Sequence, residues 1–234
     1  MSRAALDLLR DRAAPRRVWS VLVTIFGDLA QGPGAGLDGA TLRAIGAELE
    51  IRPEALRTAL HRLRRDGWIE STRTGRTTTH ALTPSARAES RAAGRRIYAT
   101  DAPDACWLVL SPDGTEPRVH LSARGEGFAL PVDRPPPDWL RAQSAPPELC
   151  DASRDLAQAL RRAGPLLDPV ALSPAQIAAL RTVIVHDWRR ILLRASDLPG
   201  WAFPPEWQGD ACRAEVADLL ARLPRPEIAR ISPR

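Results

Sequence analysis

Residues 51–83, IRPEALRTALHRLRRDGWIESTRTGRTTTHALT, decide how the rest of the chain is read. Pro53 suits a first helical position, where its missing N–H would have no partner and its φ is already helical. A helix is predicted from there to about Asp66. With residues about 100° apart, Leu56, Ala59, Leu60 and Leu63 share one face, while Arg57, Thr58, His61 and Arg65 take the opposite one, flanked by Arg62 and Arg64. Gly67 is placed as a left-handed stop, and Trp68-Ile69 opens an extended segment that turns at Thr74-Gly75 and returns through Arg76 to Leu82. Arg73 and Arg76 fall near the hairpin tip. A basic helix followed directly by a basic hairpin suits a DNA major groove and the phosphates beside it. An arginine-rich face is also what a merely solvated helix shows, but only one acid, Asp66, lies between Arg57 and Gly67. Some winged helices bind proteins instead of DNA, and the residues leave that reading open.

The chain has 234 residues, enough for two compact units or one with additions. All 33 basic residues are Arg. Residues 1–100 hold 17 Arg against 10 acids, a net of +7, whereas residues 101–234 hold 16 against 18, a net of −2. The positive charge therefore travels with the proposed reader, as expected of a DNA-binding unit tethered to a near-neutral partner. Cys106, Cys150 and Cys212 are odd in number and far apart, which argues against a disulfide framework or a zinc site. No apolar run is long enough to span a bilayer and no cleavable leader pattern opens the chain, so a cytoplasmic protein without membrane association is expected.

Outward from the central stretch, Val18, Val21, Leu22, Ile25, Phe26 and Leu29 follow helical spacing and predict a first core helix starting from Pro15. Gly32-Pro33-Gly34-Ala35-Gly36 reads as a flexible connection, and without a following Gly-Lys-Ser/Thr it is not a phosphate loop. Thr41 to Leu49 reads as a second helix capped by Asp38, joined to the third by a tight turn at Glu50-Ile51-Arg52. That order is winged helix-turn-helix order. Thr83-Pro84 starts a further helix to about Tyr98, expected to connect domains more than to build a core. Residues 1–14, with Leu6, Leu8 and Leu9 among charges, are compatible with a short helix or a loose end. Downstream, Ser173-Pro174-Ala175-Gln176 reads as a capping box, and Ile177, Leu180, Ile184, Trp188, Ile191 and Ala195 hold one face of a long helix. A last helix is expected from about Asp210 to Leu223. Leu198 to Trp207, with two tryptophans among prolines, either lines a pocket or seals these helices together, with sealing favoured.

Ile25-Phe26-Gly27-Asp28, Leu56 through Leu63, Asp66-Gly67-Trp68 and Arg95-Arg96-Ile97-Tyr98 resemble the PaaX-like repressors of phenylacetic-acid catabolism. His186-Asp187-Trp188-Arg189-Arg190-Ile191-Leu192-Leu193-Arg194, then Leu198-Pro199 and Pro205-Glu206-Trp207, are similar to the C-terminal domain of that family. The resemblance implies a dimeric transcriptional repressor on double-stranded DNA, relieved by an acyl-CoA, phenylacetyl-CoA in the members that name the family. It also implies a ferredoxin-like middle domain, and here the chain departs from the pattern. Between the strand Cys106 to Leu110 and Gly127-Phe128-Ala129-Leu130, only Ser111 to Glu126 remain, too few for a crossover helix, and residues 103–174 carry 12 of the 22 prolines. A shortened middle domain follows, and phenylacetyl-CoA is expected to have little effect; a smaller effector remains open.

The fold class expected is mainly α with small β: a winged helix domain with linker helix over 1–99, a reduced ferredoxin-like middle segment or linker over 100–165, and a helical C-terminal domain over 166–234. Arg57, Thr58, His61 and Arg62 are the expected base readers, because Arg can meet guanine O6 and N7 together and Thr or His adds a single bond. Arg65, Arg73 and Arg76 are expected on phosphates. The protein is expected to pair as a homodimer through residues 170–223 on an inverted repeat, and to need no cofactor. Catalysis is not expected. His186-Asp187 lacks the further ligands a metal site needs and reads as structural, with Asp187 beside Arg190 or Arg194. A nuclease built on the middle domain, the enzyme alternative, would have only Asp113.

Overall fold

The computed structural model describes residues 2–11, 16–113 and 116–232, so Pro15 lies outside the described residues. The chain is mainly helical with two small antiparallel sheets. In order, α1 (Ser2–Arg10) is followed by α2 (Val18–Leu29), β1 (Leu37–Asp38), α3 (Gly39–Glu48), α4 (Pro53–Arg65), β2 (Ile69–Thr74), β3 (Thr77–Leu82) and α5 (Pro84–Ile97). Then come β4 (Trp107–Asp113), β5 (Glu116–Ser122), β6 (Phe128–Pro131), α6 (Asp138–Arg141), α7 (Pro147–Ala163), α8 (Pro174–Leu192), α9 (Gly209–Arg222) and α10 (Ile228–Ile231).

The apolar stripes of α2, α3 and α4 meet as their spacing predicts. Leu22, Ile25 and Phe26 pack with Leu42, Ile45, Leu56, Ala59 and Leu63, and Ile69 and Leu82 close the hairpin end. The cap on α3 is Asp38, whose Oδ1 accepts from the Thr41 N–H at 2.7 Å. The turn into α4 is a left-handed stop at Glu50, φ 54°, with the Ile51 N–H reaching back to Gly46 O at 2.8 Å. α4 ends at Gly67, φ 72°, a conformation that costs an L side chain about 1 kcal/mol or more and glycine nothing. The hairpin pairs Ile69 with Leu82 through Thr74 with Thr77.

β1 is an element that the sequence pattern did not reveal. It pairs antiparallel with β3, placing Leu37 opposite His80, and gives the sheet order β1-β3-β2. Gly36 makes this possible, because a Cβ there would lie 2.6 Å from the Thr79 methyl and 3.0 Å from His80 O. The preceding glycine-rich connection is held rather than free, since the Arg87 guanidinium donates to the carbonyls of Ala30, Gln31 and Gly32.

α5 does more than connect. Ala86 enters the core of α2 to α4, Ile97 enters the second core, and the Trp188 indole N–H donates to Ile97 O at 3.1 Å. That second core gathers α7, α8 and α9, and includes Ala5, Leu6 and Leu9 of α1. Residues 2–10 are thus a helix packed on α7 and α8, although adjacent in sequence to α2. α8 is the axis of the molecule, packing on α2 and α3 along one side and on α1, α7 and α9 along others. Its capping box is formed, with Ser173 accepting from the Gln176 N–H and the Gln176 side chain accepting from the Ser173 N–H.

In the middle segment, β5 turns straight back on β4, and β6 pairs along the other edge, giving the order β5-β4-β6. Between β4 and β6 no helix occurs among the described residues. The proline-rich stretch nevertheless contains the 17-residue α7, started by Pro147 at its first turn. Phe203 and Trp207 stack at 4.6 Å, and their segment is stitched on by Ser144 donating to Ala202 O and by Ser153 accepting from the Gln208 N–H. Among the described residues no helix is long and apolar enough to cross a membrane.

Candidate nucleic-acid interface

α4 buries Leu56, Ala59 and Leu63, and so turns Arg57, Thr58, His61, Arg62, Arg64 and Arg65 to solvent. Arg73 and Arg76 are exposed on the hairpin that follows. The seven residues expected to contact DNA therefore all lie at the surface on two consecutive elements, but their local partners differ. Arg57 donates to Glu54 at 3.1 Å with both side chains more than two-thirds exposed, an ion pair that water and salt weaken and an incoming anion can replace at little cost. The Thr58 hydroxyl donates to Glu54 O at 2.9 Å. Its proton is spent, so toward a ligand it can only accept, which matches a base amino group better than a carbonyl.

Arg62 is held differently. Its guanidinium lies over the Trp19 ring at 5.1 Å and its Nε faces Asp66 at 3.4 Å. A stacked, flanking arginine is aimed by its platform and loses less freedom on contact than a loose one. Arg65 also shares Asp66, at 3.1 Å. Arg73 donates back to Gly75 O at 3.2 Å, which folds it over the hairpin tip.

Two further cations join this surface: Arg64, which the spacing placed at the flank of the polar face without a role, and Arg43, which it did not single out. Arg64 sits close enough to His80 of β3 that, after burial, its positive charge is the second cause pushing the His80 imidazole below the ordinary histidine value. His80 is further fixed by Ser71, 2.8 Å from Nδ1, so helix and hairpin are electrostatically one surface. Arg43 of α3 is exposed and lines, with Arg76, Thr77 and Thr78, a cleft of about 440 Å³ at the start of α3. Only the three-dimensional pairing of β1 with β3 brings Arg43 there.

The His186-Asp187 pair is structural, but not in the way its helical spacing suggests. Asp187 is bound by Arg16, with Nε at 2.9 Å and Nη2 at 2.7 Å, rather than by Arg190 or Arg194. The same guanidinium donates to Leu9 O and Arg10 O, so it ties the end of α1 to α8. His186 is buried, its Nδ1 lies 3.2 Å from Thr24 Oγ1, and its Nε2 has no partner among the described residues. Burial, opposed by Asp187 and assisted by Arg189, Arg16 and Arg190, pushes it down to about 4. The unfolded chain then binds a proton that the folded one refuses between about pH 6.5 and 4, so stability is full above that window and falls through it. The loss should reach about 3 kcal/mol. Urea titrations across that range should show it in the wild type and not in His186→Gln, and parallel losses in both would defeat the assignment. No group of His, Cys, Asp and Glu suited to a metal ion occurs among the described residues.

Two blocks of the chain match known protein families. Residues 17–86, from the start of α2 into α5, match the family model described as PaaX-like protein, and residues 147–228, from α7 through α9, match that described as PaaX-like protein C-terminal domain. The transcriptional repressor PaaX of Escherichia coli (strain K12) is 24% identical over 267 residues, spanning 94% of this chain and 84% of that protein. The stretch between the two matched blocks holds the β4 to β6 sheet.

Proposed function

We propose that this chain, which belongs to the PaaX-like family, is a transcriptional regulator that represses by binding double-stranded DNA through a winged helix formed by α2 to β3. The observation that carries the reading is the surface of α4 and its hairpin, where Arg57, Arg62, Arg64, Arg65, Arg73 and Arg76 are all exposed on one run of 20 residues. α4 enters the major groove, with Arg57, Thr58, His61 and Arg62 on base edges, while Arg65, Arg73 and Arg76 meet phosphates. The unit is a homodimer on an inverted repeat, because one reader covers too few base pairs for genomic specificity. It binds and does not catalyse.

Selection from a random duplex pool tests the reading, followed by titration of the winning sequence and a scrambled one. Arg57→Ala should cost about 1–3 kcal/mol on the selected site and little on the scrambled one. Arg76→Ala should weaken both alike. Enrichment of no sequence, with no retention of any duplex at low salt, would reject DNA binding outright.

A further inference from the structure

We propose that the cleft bounded by α2, α5 and α8 is a binding site for a small carboxylate with an apolar body. The cleft measures about 330 Å³, at the lower end of the range for small-molecule sites, and its walls are chiefly apolar, with Trp19, Val23, Trp68, Val185 and Leu193 among them. Into these walls the fold sets one cation, Arg189. Its only bonds are Nη1 to Thr24 Oγ1 and Nη2 to Ser20 Oγ, both 3.3 Å, and it meets no carboxylate within ion-pair distance among the described residues. Two other arginines that join α8 to its neighbours are treated otherwise: Arg181 of α8 has Asp28, and Arg16, which reaches α8 from before α2, has Asp187. A half-buried guanidinium offered only neutral hydroxyls has given up water without receiving an anion, and burial accordingly lowers its proton affinity.

A second observation points the same way. The indole N–H of Trp19 is buried with no acceptor among the described residues. Trp19 and Arg189 thus put two donors short of acceptors into the walls of one cleft, and a carboxylate beside Arg189 supplies an acceptor and the missing charge together. Two acids also line the cleft. Asp28 is already neutralised by Arg181 and Arg225, whereas Glu89 stands at the exposed rim, where water weakens its repulsion of an anion without removing it.

The place of the cleft gives the occupant a role that rests on the DNA-binding reading. Trp19 carries Arg62 stacked on its ring, and Trp68 is the last residue before β2 in the link from α4, with its N–H bonded to Leu63 O. An occupant touching both tryptophans has different contacts in any two arrangements of α4 and the hairpin, which is what a ligand needs in order to bias them.

Direct binding is measured first, without DNA, by calorimetry and tryptophan fluorescence on the full chain. Hexanoate, octanoate and cyclohexanecarboxylate are compared with hexanol, octanol and cyclohexylmethanol. Saturable binding of at least one acid, with its matched alcohol about tenfold to a hundredfold weaker, is expected. Arg189→Gln should abolish that preference. Glu89→Gln, an exposed change that leaves the fold alone, should tighten acid binding a few-fold, so the site is tested even if Arg189→Gln does not fold. Acid and alcohol binding equally, no saturable binding of any acid, or indifference to Glu89→Gln would each overturn the site. Duplex titration with and without the acid then reads the coupling, expected at about fivefold or more. An acid that binds while duplex affinity stays fixed overturns the coupling alone, and an acid that binds a protein retaining no duplex overturns the DNA reading while the site stands.

Discussion

Asp28→Ala should destabilise the protein by about 3–5 kcal/mol, the range for stripping one partner from a buried ion pair. The Asp28 side chain is 0% exposed and that of Arg181 4%. Arg181 donates to it twice, Nε to Oδ2 and Nη2 to Oδ1, both at 2.8 Å, while the Tyr98 hydroxyl donates at 2.9 Å and Arg225 Nε at 3.0 Å. Burial alone would raise the Asp28 carboxyl, but the bonds and charge of Arg181, the charge of Arg225 and the Tyr98 bond outweigh it and hold it below the ordinary aspartate value. The same arrangement, burial first and then the Asp28 charge, drives the Tyr98 phenol well above its usual range. Removing the carboxylate leaves Arg181 inside with only the carbonyls of Leu220 and Leu223. Arg225→Ala should cost only about 1 kcal/mol, since that side chain is half exposed. The double change Asp28→Leu with Arg181→Met should recover much of the loss, because neither charge then needs solvation. Urea midpoints of the four proteins decide this, and a double variant no better than Asp28→Ala would show that packing, not charge, sets the cost.

The pH signature is separable from that of His186. A depressed carboxyl contributes stability that is present above its ordinary value of 3.8 and lost only as pH falls through its lower folded value. The part of the loss between pH 6.5 and 4 that His186→Gln removes therefore belongs to that imidazole, with His80 adding its own share in the same direction, and the part below that window which the Asp28→Leu, Arg181→Met double change removes belongs to Asp28.

What the sequence revealed about this molecule is what its local chemistry dictates. Pro53, Gly67, the Asp38 cap and the Ser173 to Gln176 box depend on neighbours within a turn, and each stands where the spacing put it. The mainly α class with small β follows from the same periodicities. Partners far along the chain were not legible. Nothing near Asp28 announces Arg181, 153 residues away, and nothing near Asp187 announces Arg16, 171 away. The two-residue β1 is too short to show alternation, and α7 was hidden because its segment was weighed by proline count, although Pro147 stands at a first turn where proline favours a helix. α1 lies beside α2 in sequence but shares the core of α7 to α9. In the candidate interface the exposure of the five helical residues was readable from a 100° period, and that of Arg73 and Arg76 from the turn at Thr74-Gly75. That Arg62 leans on Trp19, that Arg64 faces His80 and that Arg43 joins Arg76 all depend on tertiary contacts which no period contains.

Affinity for duplex DNA should fall about a thousandfold between 50 and 200 mM salt. Each phosphate neutralised by an arginine releases condensed counterions, and log K then falls with log salt by about 0.9 per contact. Arg65, Arg73 and Arg76 supply three such contacts per reader, and a two-fold pair of readers doubles them, giving a slope of about −5. The local pairs do not prevent this. Arg65 shares Asp66 across water-exposed side chains and Arg73 holds only a carbonyl, so a phosphate can take both at little cost. Arg76→Ala removes one contact from each half and should flatten the slope by about 2 units, whereas Arg57→Ala should leave it nearly unchanged while lowering affinity for the selected site. The slope also reports assembly. A monomer at working concentration would show about half the expected value, and Arg76→Ala would then flatten it by about 1 unit. A slope near zero would mean that the arginines of α4 and its hairpin face water and not phosphate, which would leave the exposed surface without the partner assigned to it here.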